Sequence, residues 1–300
     1  MAQQTINPSK VVDNNQAAKE YRPPRKWTDI ASATILHILL LIGVVIMAGP
    51  FVWTVLTSLK DNSQAFRIPP VWIPNPFIWD NYPASLQALP FGQAYLNSAI
   101  VSGTIVVATL ITCSMAGYAF AKIKFPGRNV LFFLFLATLM IPFQVTLISL
   151  FLIMRNLGLL DTLLALILPP ALFNAFGVFL MRQFIMGIPD ELEEAAIVDG
   201  ANRWTVFWRI VFPLLRAPLS ALGILTFISQ WNNFMLPLIM LNTPSNFTVP
   251  LVLNQFKGQF STQWTQIMAG SVIAILPLIL VYIILQRQII RGIAMTGLKA

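Results

Sequence analysis

The sequence predicts an all-α, polytopic membrane protein, and three observations carry that prediction. Of its 300 residues 57% are hydrophobic and only 10% are charged, far from the balance of a soluble domain. Runs of 18 or more residues without Asp, Glu, Lys or Arg recur along the chain. At about 1.5 Å per residue, each is long enough to cross a hydrocarbon core of roughly 30 Å. The charges that remain gather between these runs.

Hydropathy divides the chain into a polar tail over residues 1–29, a six-span domain over 30–286 and a second tail over 287–300. The spans fall at residues 30–59, 95–121, 130–154, 162–181, 217–241 and 267–286. The first tail carries Pro23-Pro24 and no short apolar core or cleavage site, so it reads as a cytoplasmic tail and not as a signal peptide. With both termini inside, the tails and the loops 122–129 and 182–216 hold fifteen of the nineteen basic residues. Only Lys60, Arg67, Arg155 and Lys257 fall outside. Positive charge is retained on the cytoplasmic side, so this orientation is expected. The same distribution excludes a nucleic-acid face, despite the net charge of +8, because the basic residues mark span ends and do not form one patch.

Between the first two spans, residues 60–94 are rich in Pro and aromatics, including Pro69, Pro70, Trp72, Phe77 and Trp79. Prolines disfavour regular helix and aromatics favour the membrane interface, so a compact cap on the outer surface is expected. It either packs and anchors only, or meets an external delivery protein. Cys113 stands alone in an apolar run and reads as a small buried residue, leaving no disulfide or metal cluster. His37 is the only histidine and lies in the first span, where an interhelical or interfacial role is expected. Neither Ser-His-Asp nor Cys-His catalysis is available, and no enzyme activity is expected.

The loop between spans four and five is a charged, helix-forming island. Four of the eleven acidic residues lie between Asp190 and Glu194, and Asp199 follows. Asp190 with Glu193 three residues on has the form of a capping box, and Glu191, Glu193 and Glu194 suit the positive end of a helix dipole. Gly200 can end that helix, and a second can begin near Asn202. Trp204, Phe207, Trp208 and Val211 then recur at i, i+3, i+4 and i+7 as one apolar stripe, and Pro213 closes the unit. The small Ala195 and Ala196 would let a partner's backbone approach. Two readings follow, protein docking or an amphipathic pair on the inner leaflet. The acidity of the island favours docking, because helices on an anionic leaflet are usually basic.

Glu194-Ala195-Ala196, three residues, Gly200, nine residues, then Ile210-Val-Phe-Pro213 resembles the EAA loop of ABC-importer permeases, EAA-x3-G-x9-I-x-L-P, with Phe212 in place of Leu. The resemblance implies a coupling helix that sits in a groove of a cytoplasmic ATPase and passes its closure to the spans. It assigns ATPase coupling to Glu194, Ala195, Ala196, Asp199, Gly200, Ile210 and Pro213. Trp231-Asn-Asn-Phe-Met-Leu-Pro and the tail Gln286-Arg-Gln-Ile-Ile-Arg-Gly resemble carbohydrate-importer permeases, in particular the six-span subunit of maltose-type and glycerol-phosphate-type systems. That likeness covers nearly the whole chain from about residue 30. The ending Gly297-Leu-Lys-Ala departs from the family's usual Gly-Ala-Val-Lys-Gly, whose reach into the ATPase interface is therefore not assigned. The implied partners are a homologous sister permease, two ATPase subunits that hold ATP and Mg, an extracytoplasmic binding protein and membrane lipid, with no nucleic acid.

The chain contains no G-x-x-x-x-G-K-[ST], so no nucleotide cofactor is expected in it. The six spans contain no Asp, Glu, Lys or Arg, which weakens a proton-coupled carrier. Neutral polar residues in the spans are Gln144 after Pro142, Asn174, and Gln230, Asn232 and Asn233 around Trp231. They either hydrogen-bond between helices or line the path of a sugar, whose hydroxyls suit amides and whose C–H face suits Trp231. A glycerol-phosphate ester or other polyol is the alternative cargo. A secondary carrier is the alternative class.

Overall fold

The computed structural model describes residues 27–259 and 263–297, and among them no strand occurs. Residues 1–26 of the expected first tail and 298–300 of the second lie outside the described residues. Two units divide at Val52 and Trp53. The first holds most of α1 (Trp27–Ser58), and the second holds the end of α1 and every other element.

The Pro/aromatic segment after α1 contains two short helices, α2 (Asn62–Ala65) and α3 (Asn81–Ala88). Pro83 falls in the first turn of α3, where a missing N–H costs nothing, so the prolines tolerate more helix than expected. The segment folds back on the end of α1. Asn81 Nδ2 donates to the Ser58 and Lys60 carbonyls at 2.8 and 2.9 Å, and Trp72 packs edge-on against Trp53.

The next helix organises the second unit. α4 (Phe91–Lys122) has 32 residues, about 48 Å of length. Buried residues occur along its whole course, from Phe91 and Ala94 to Gly117 and Tyr118. Around it stand α7 (Leu163–Leu172), α8 (Ala175–Met186), α12 (Arg216–Trp231) and α14 (Val249–Gln259). The final helix, α15 (Trp264–Gly297), packs on α12 and α3. Its backbone continues through 287–297, where a tail was expected. The remaining helices are α5 (Arg128–Ala137), α6 (Phe143–Asn156), α9 (Asp190–Val198), α10 (Arg203–Val206), α11 (Phe212–Leu214) and α13 (Met235–Met240).

Three expected spans are not continuous, and one of them, 162–181, divides into α7 and α8 at Phe173 and Asn174. Residues 130–154 divide into α5 and α6, which bend by 103° at a break before Pro142. Pro142 lacks an N–H, and Ile141 before it is forced extended, at φ −87° and ψ 116°. Residues 217–241 divide into α12 and α13 around Asn232 to Phe234. Among the described residues four helices are long and apolar enough to cross a membrane, with Leu163–Met186 counted as one, or up to six if the bent pairs Arg128–Met140 with Phe143–Asn156 and Arg203–Leu214 with Arg216–Trp231 are each one span.

Breaks of this kind leave carbonyls and N–H groups that a bilayer cannot satisfy, and α4 satisfies many of them. Helix α7 carries Pro169 and Pro170 and ends at Leu172. Thr109 Oγ1 donates to the Pro170 carbonyl, Thr112 Oγ1 to Ala171 at 3.1 Å, and Cys113 Sγ to Asn174. Toward its first end, Asn97 Nδ2 donates to the carbonyls of Ser245 and Phe247, and Ser98 Oγ accepts from the Val249 N–H at 2.9 Å. One helix thus fastens segments 59 to 151 residues away in sequence.

Where α4 crosses α8 the backbones touch. A Cβ on Gly117 would lie 2.7 Å from the Met181 Cβ and 2.9 Å from the Arg182 nitrogen. Gly117→Ala therefore has to part the helices, at a cost of about 1–3 kcal/mol. A lower melting temperature of the detergent-solubilised protein is expected. Gly103→Ala on the same helix, with nothing within 4 Å of the added Cβ, should leave that temperature unchanged or slightly raised.

Candidate functional site

Two regions carry the candidate residues, the loop 187–213 and a largely apolar cavity with a few polar side chains in its wall.

The loop starts where α8 ends. Asp190 was expected to cap α9, but Pro189 stands at the N-cap and Asp190 is the first helical residue. Its carboxylate instead takes Lys122, the last residue of α4. Lys122 Nζ also donates to the Ile188 carbonyl at 2.6 Å. A charge-assisted bond beside a helix N-terminus outcompetes a local cap, and no local spacing rule contains a partner 68 residues away. Lys122's hydrogen bond and charge hold the Asp190 carboxyl below its ordinary range.

Glu193 also departs from expectation. It is 3% exposed, so it belongs to the interior and not to the acidic surface. Its Oε2 accepts from the Tyr118 hydroxyl at 2.9 Å and from Arg203 Nη1 at 3.3 Å, and its Oε1 lies 3.8 Å from Lys122 Nζ. The next acidic residues, Glu191, Glu194 and Asp199, are exposed, as are Ala195 and Gly200. Ala196 and Ile210 are half-buried and Pro213 is exposed. Helix α9 thus turns Glu193 and Ala196 inward and sets Asp190 against Lys122 of α4. Its other side presents Glu191, Glu194, Ala195 and Val198, with Val198 86% exposed.

The helix ends as expected. Gly200 adopts φ +86°, open to glycine without strain, and the Ala201 N–H closes the turn on the Ala196 carbonyl at 2.9 Å. Asn202 caps α10 by accepting from the Thr205 N–H at 2.8 Å. The apolar stripe is not intact, because residues Phe207–Val211 form a π-turn in which the Phe212 N–H reaches the Phe207 carbonyl. Pro213 offers no N–H to that turn, a situation that favours a widened bond pattern. Phe207 and Val211 are buried, Trp208 is half-buried and Trp204 is exposed, where a regular helix would have grouped all four.

The cavity, about 940 Å³, lies between α6, the end of α7 and the break after α12. Its polar lining is Thr146, Ser149, Ser229, Gln230, Asn232 and Asn233, and none of its lining residues is charged. Asn232 and Asn233 thus meet at one cavity wall. The Asn233 carbonyl oxygen accepts from the Leu236 N–H at 3.3 Å and orders the start of α13. Gln144 is exposed in the first turn of α6 and outside this lining. Asn174 caps α8, accepting from the Gly177 N–H at 2.8 Å. Trp231 is buried between Phe227 and Tyr95 and donates from Nε1 to the Ala274 carbonyl at 3.1 Å. Sequence reasoning did not single out Thr146 and Ser149. Their signal was hydroxyls three apart on a helix that also bears Phe143 and Leu150, all four lining one side.

Beyond the cavity, Asp161 binds the turn that follows α13. Its Oδ1 accepts from the N–H groups of Asn242 and Thr243, both at 2.9 Å, and its Oδ2 from the Thr243 hydroxyl. Its N–H donates to Met240 at 2.8 Å. Asp161 holds φ +59°, a left-handed conformation that Asp tolerates better than most residues.

Described residues that form helices and no strand, several candidate spans, an exposed acidic helix and an uncharged cavity define a multi-pass membrane protein. The chain belongs to the family of binding-protein-dependent transport system inner membrane components, whose pattern matches residues 108–295. It is similar to the arabinooligosaccharides transport system permease protein AraQ of Halalkalibacterium halodurans, 36% identical over 279 residues, covering 89% of this chain and 98% of that one. It is also similar to the sn-glycerol-3-phosphate transport system permease protein UgpE of Yersinia pestis, 35% identical over 265 residues, covering 86% and 94%. Among solved structures, it resembles a chain of a bacterial ABC transporter involved in the import of the acidic polysaccharide alginate. The TM-score there is 0.77 at 26% identity, over 88% of this chain and 99% of that chain.

The Asp161 clamp sets a pH dependence. The Thr243 hydroxyl, then the Thr243 and Asn242 N–H groups, hold its carboxyl at about 2 against the usual 3.8. A depressed carboxyl contributes stability above its unfolded value and loses it as pH falls through its folded value. The melting temperature of Asp161→Asn should therefore lie below that of the wild type by a constant margin at neutral and mildly acidic pH. The margin should close as the pH is taken below 3.8 toward 2.

Proposed function

We propose that this chain is the permease subunit of an ATP-binding-cassette importer for a neutral carbohydrate, and that α9 is its coupling helix. The observation that carries the coupling role is the shape of residues 190–200. The Glu194-Ala195-Ala196 signature lies on a helix with an exposed outer side, ended by Gly200 at φ +86°. An exposed valine flanked by carboxylates suits a protein partner better than an anionic leaflet. Family membership supports the wider assembly, in which an extracytoplasmic binding protein delivers solute and two cytoplasmic ATPases hold ATP and Mg. A homologous sister permease would complete the path. In this reading α5–α6, α7–α8 and α12–α13 each make one span beside α1, α4 and α15. Both termini are cytoplasmic, and 189–213 is the coupling loop of a permease domain over 30–286, flanked by tails 1–29 and 287–300. Glu194, Ala195, Ala196, Asp199, Gly200, Ile210 and Pro213 then form the ATPase-facing unit.

The cargo reading rests on the cavity. Asn232, Asn233, Gln230 and three hydroxyls can exchange hydrogen bonds with sugar hydroxyls, whereas a phosphate would ask for Arg or Lys. Relatives named for glycerol phosphate favour a glycerol-phosphate ester as the second reading. Gln144, Asn174 and Trp231, away from the lining, would support the path through helix packing.

The test uses the native complex purified through a tag on this chain and reconstituted in liposomes. Gly200→Asp should leave insertion intact and abolish ATP-driven uptake, because an Asp side chain both strains φ +86° and fills the contact. Asn233→Ala should lower uptake of a neutral oligosaccharide by about tenfold or more, as expected when a polar site loses a partner, with ATPase co-purification unchanged. Normal uptake in Gly200→Asp would remove the coupling assignment. Saturable uptake of glycerol 3-phosphate with none of neutral sugars would replace the cargo.

A further inference from the structure

We infer that Glu193 is a positioning residue that fastens α9 to the end of α4, so that force applied to α9 is delivered to α4. The inference rests on the coupling role proposed for α9 and adds the route by which that role is exercised.

Helix α9 has nine residues and buries no large apolar side chain, only Glu193. Its hold on the unit is polar. Glu193 is the only acidic side chain buried among the described residues, and it reaches three groups on two elements. Tyr118 and Lys122 stand one turn apart at the end of α4, and Arg203 opens α10. Lys122 adds Asp190 and the Ile188 carbonyl. The joint therefore spans both ends of α9, with Lys122 at its first turn and Arg203 beyond its last.

The chemistry suits transmission and not only anchoring. A buried carboxylate with two cations cannot slide out of contact without exposing an unpaired charge, so α9 and α4 must move as one body. The joint also has play. Glu193 Oε1 has no hydrogen-bond partner, with Lys122 Nζ at 3.8 Å. Lys122 can shift from the exposed Asp190 to that oxygen while α9 rolls, so pairing persists through a small rotation. From there α4 runs to Asn97 and Ser98, which hold residues 245–249 at its far end. Motion of α9 would reach both ends of the unit along one rigid helix.

The test measures solute taken up per ATP hydrolysed in the reconstituted native complex. Glu193→Gln keeps the size and can still accept from Tyr118, but loses its charge. Arg203→Ala alters a half-exposed partner without a core cavity and guards against misfolding of the first variant. Both should co-purify with the ATPase and hydrolyse ATP near the wild-type rate. Uptake per ATP should fall about tenfold in Glu193→Gln and less in Arg203→Ala, the size expected for residues along a coupling route. Wild-type uptake per ATP in both variants would overturn the inference, as would loss of ATPase co-purification in Arg203→Ala, which would make the joint part of the docking surface. Should Glu193→Gln fail to assemble, an undiminished ratio in Arg203→Ala alone would overturn it. Gly200→Asp in the same assay keeps the two readings apart, since its normal uptake would sink the coupling role of α9 itself.

Discussion

A helix that breaks inside a bilayer must find internal partners for the backbone groups it frees, and this requirement organises the structure. Pro169 and Pro170 withhold two N–H groups from the same turn of α7, and the chain restarts as α8 only at Ala175. Without Thr109, Thr112 and Cys113 on the neighbouring face of α4, the freed carbonyls would meet only hydrocarbon. The same helix supplies Asn97 and Ser98 to the turn before α14, and Tyr118 and Lys122 to the loop after α8. It can do so because it is itself unbroken for 32 residues, with Gly117 set where α8 must come close. The polar residues of α4 are thus an interior scaffold for irregular backbone elsewhere.

That division of labour explains which parts of the fold were legible in the sequence. Hydropathy located the long apolar helices because it depends only on composition over a window. It said nothing of the 103° bend before Pro142, since a proline announces a break but the direction taken afterwards is set by packing. Gly200 and Asn202 were read correctly because their jobs, a left-handed end and a cap, are settled within three or four residues. Asp190 and Glu193 were misread for the complementary reason. Their partners Lys122 and Tyr118 lie 68 and 75 residues away, and a local capping rule could not weigh them. The π-turn at Phe207–Val211 fell between these cases. Pro213 was visible, but its effect on the four aromatic and aliphatic positions before it depends on which of them the core accepts.

The cavity follows the same logic. Asn232 and Asn233 stand where α12 ends, and Pro169 and Pro170 line the opposite side. Irregular backbone is tolerated at membrane depth where it is buried in protein or lines a wet cavity. The break after α12 and the break after α7 therefore favour the space between them as a place for a polar solute. Trp231 had drawn attention as a stacking surface, but its indole N–H is engaged by the Ala274 carbonyl and its ring lies between Phe227 and Tyr95. It holds α12 against α15 and α4, which fixes the amides that follow it. An aromatic residue beside amides was legible as a cluster; which member faced the cavity depended on the register at which α12 stops.

The acidic island combines two surfaces with opposite demands. A helix that meets a separate protein has to present groups that can be desolvated and released repeatedly, so exposed carboxylates, the small Ala195 and the bare Val198 suit its outer side. A helix that passes on a displacement has to keep its contacts through small rotations, so its inner side needs groups that are costly to separate. Packing alone would require large apolar residues, and those would make the isolated loop prone to bury its outer side as well. Glu193 and Asp190 on Lys122, Tyr118 and Arg203 solve this with charge. They bind α9 to α4 with side chains that leave Glu191 and Glu194 exposed. Adjacent glutamates can therefore serve different ends, with Glu193 turned inward onto Tyr118 and Arg203 and Glu194 turned outward and exposed. The helical period, and not the count of acidic residues, separates the two.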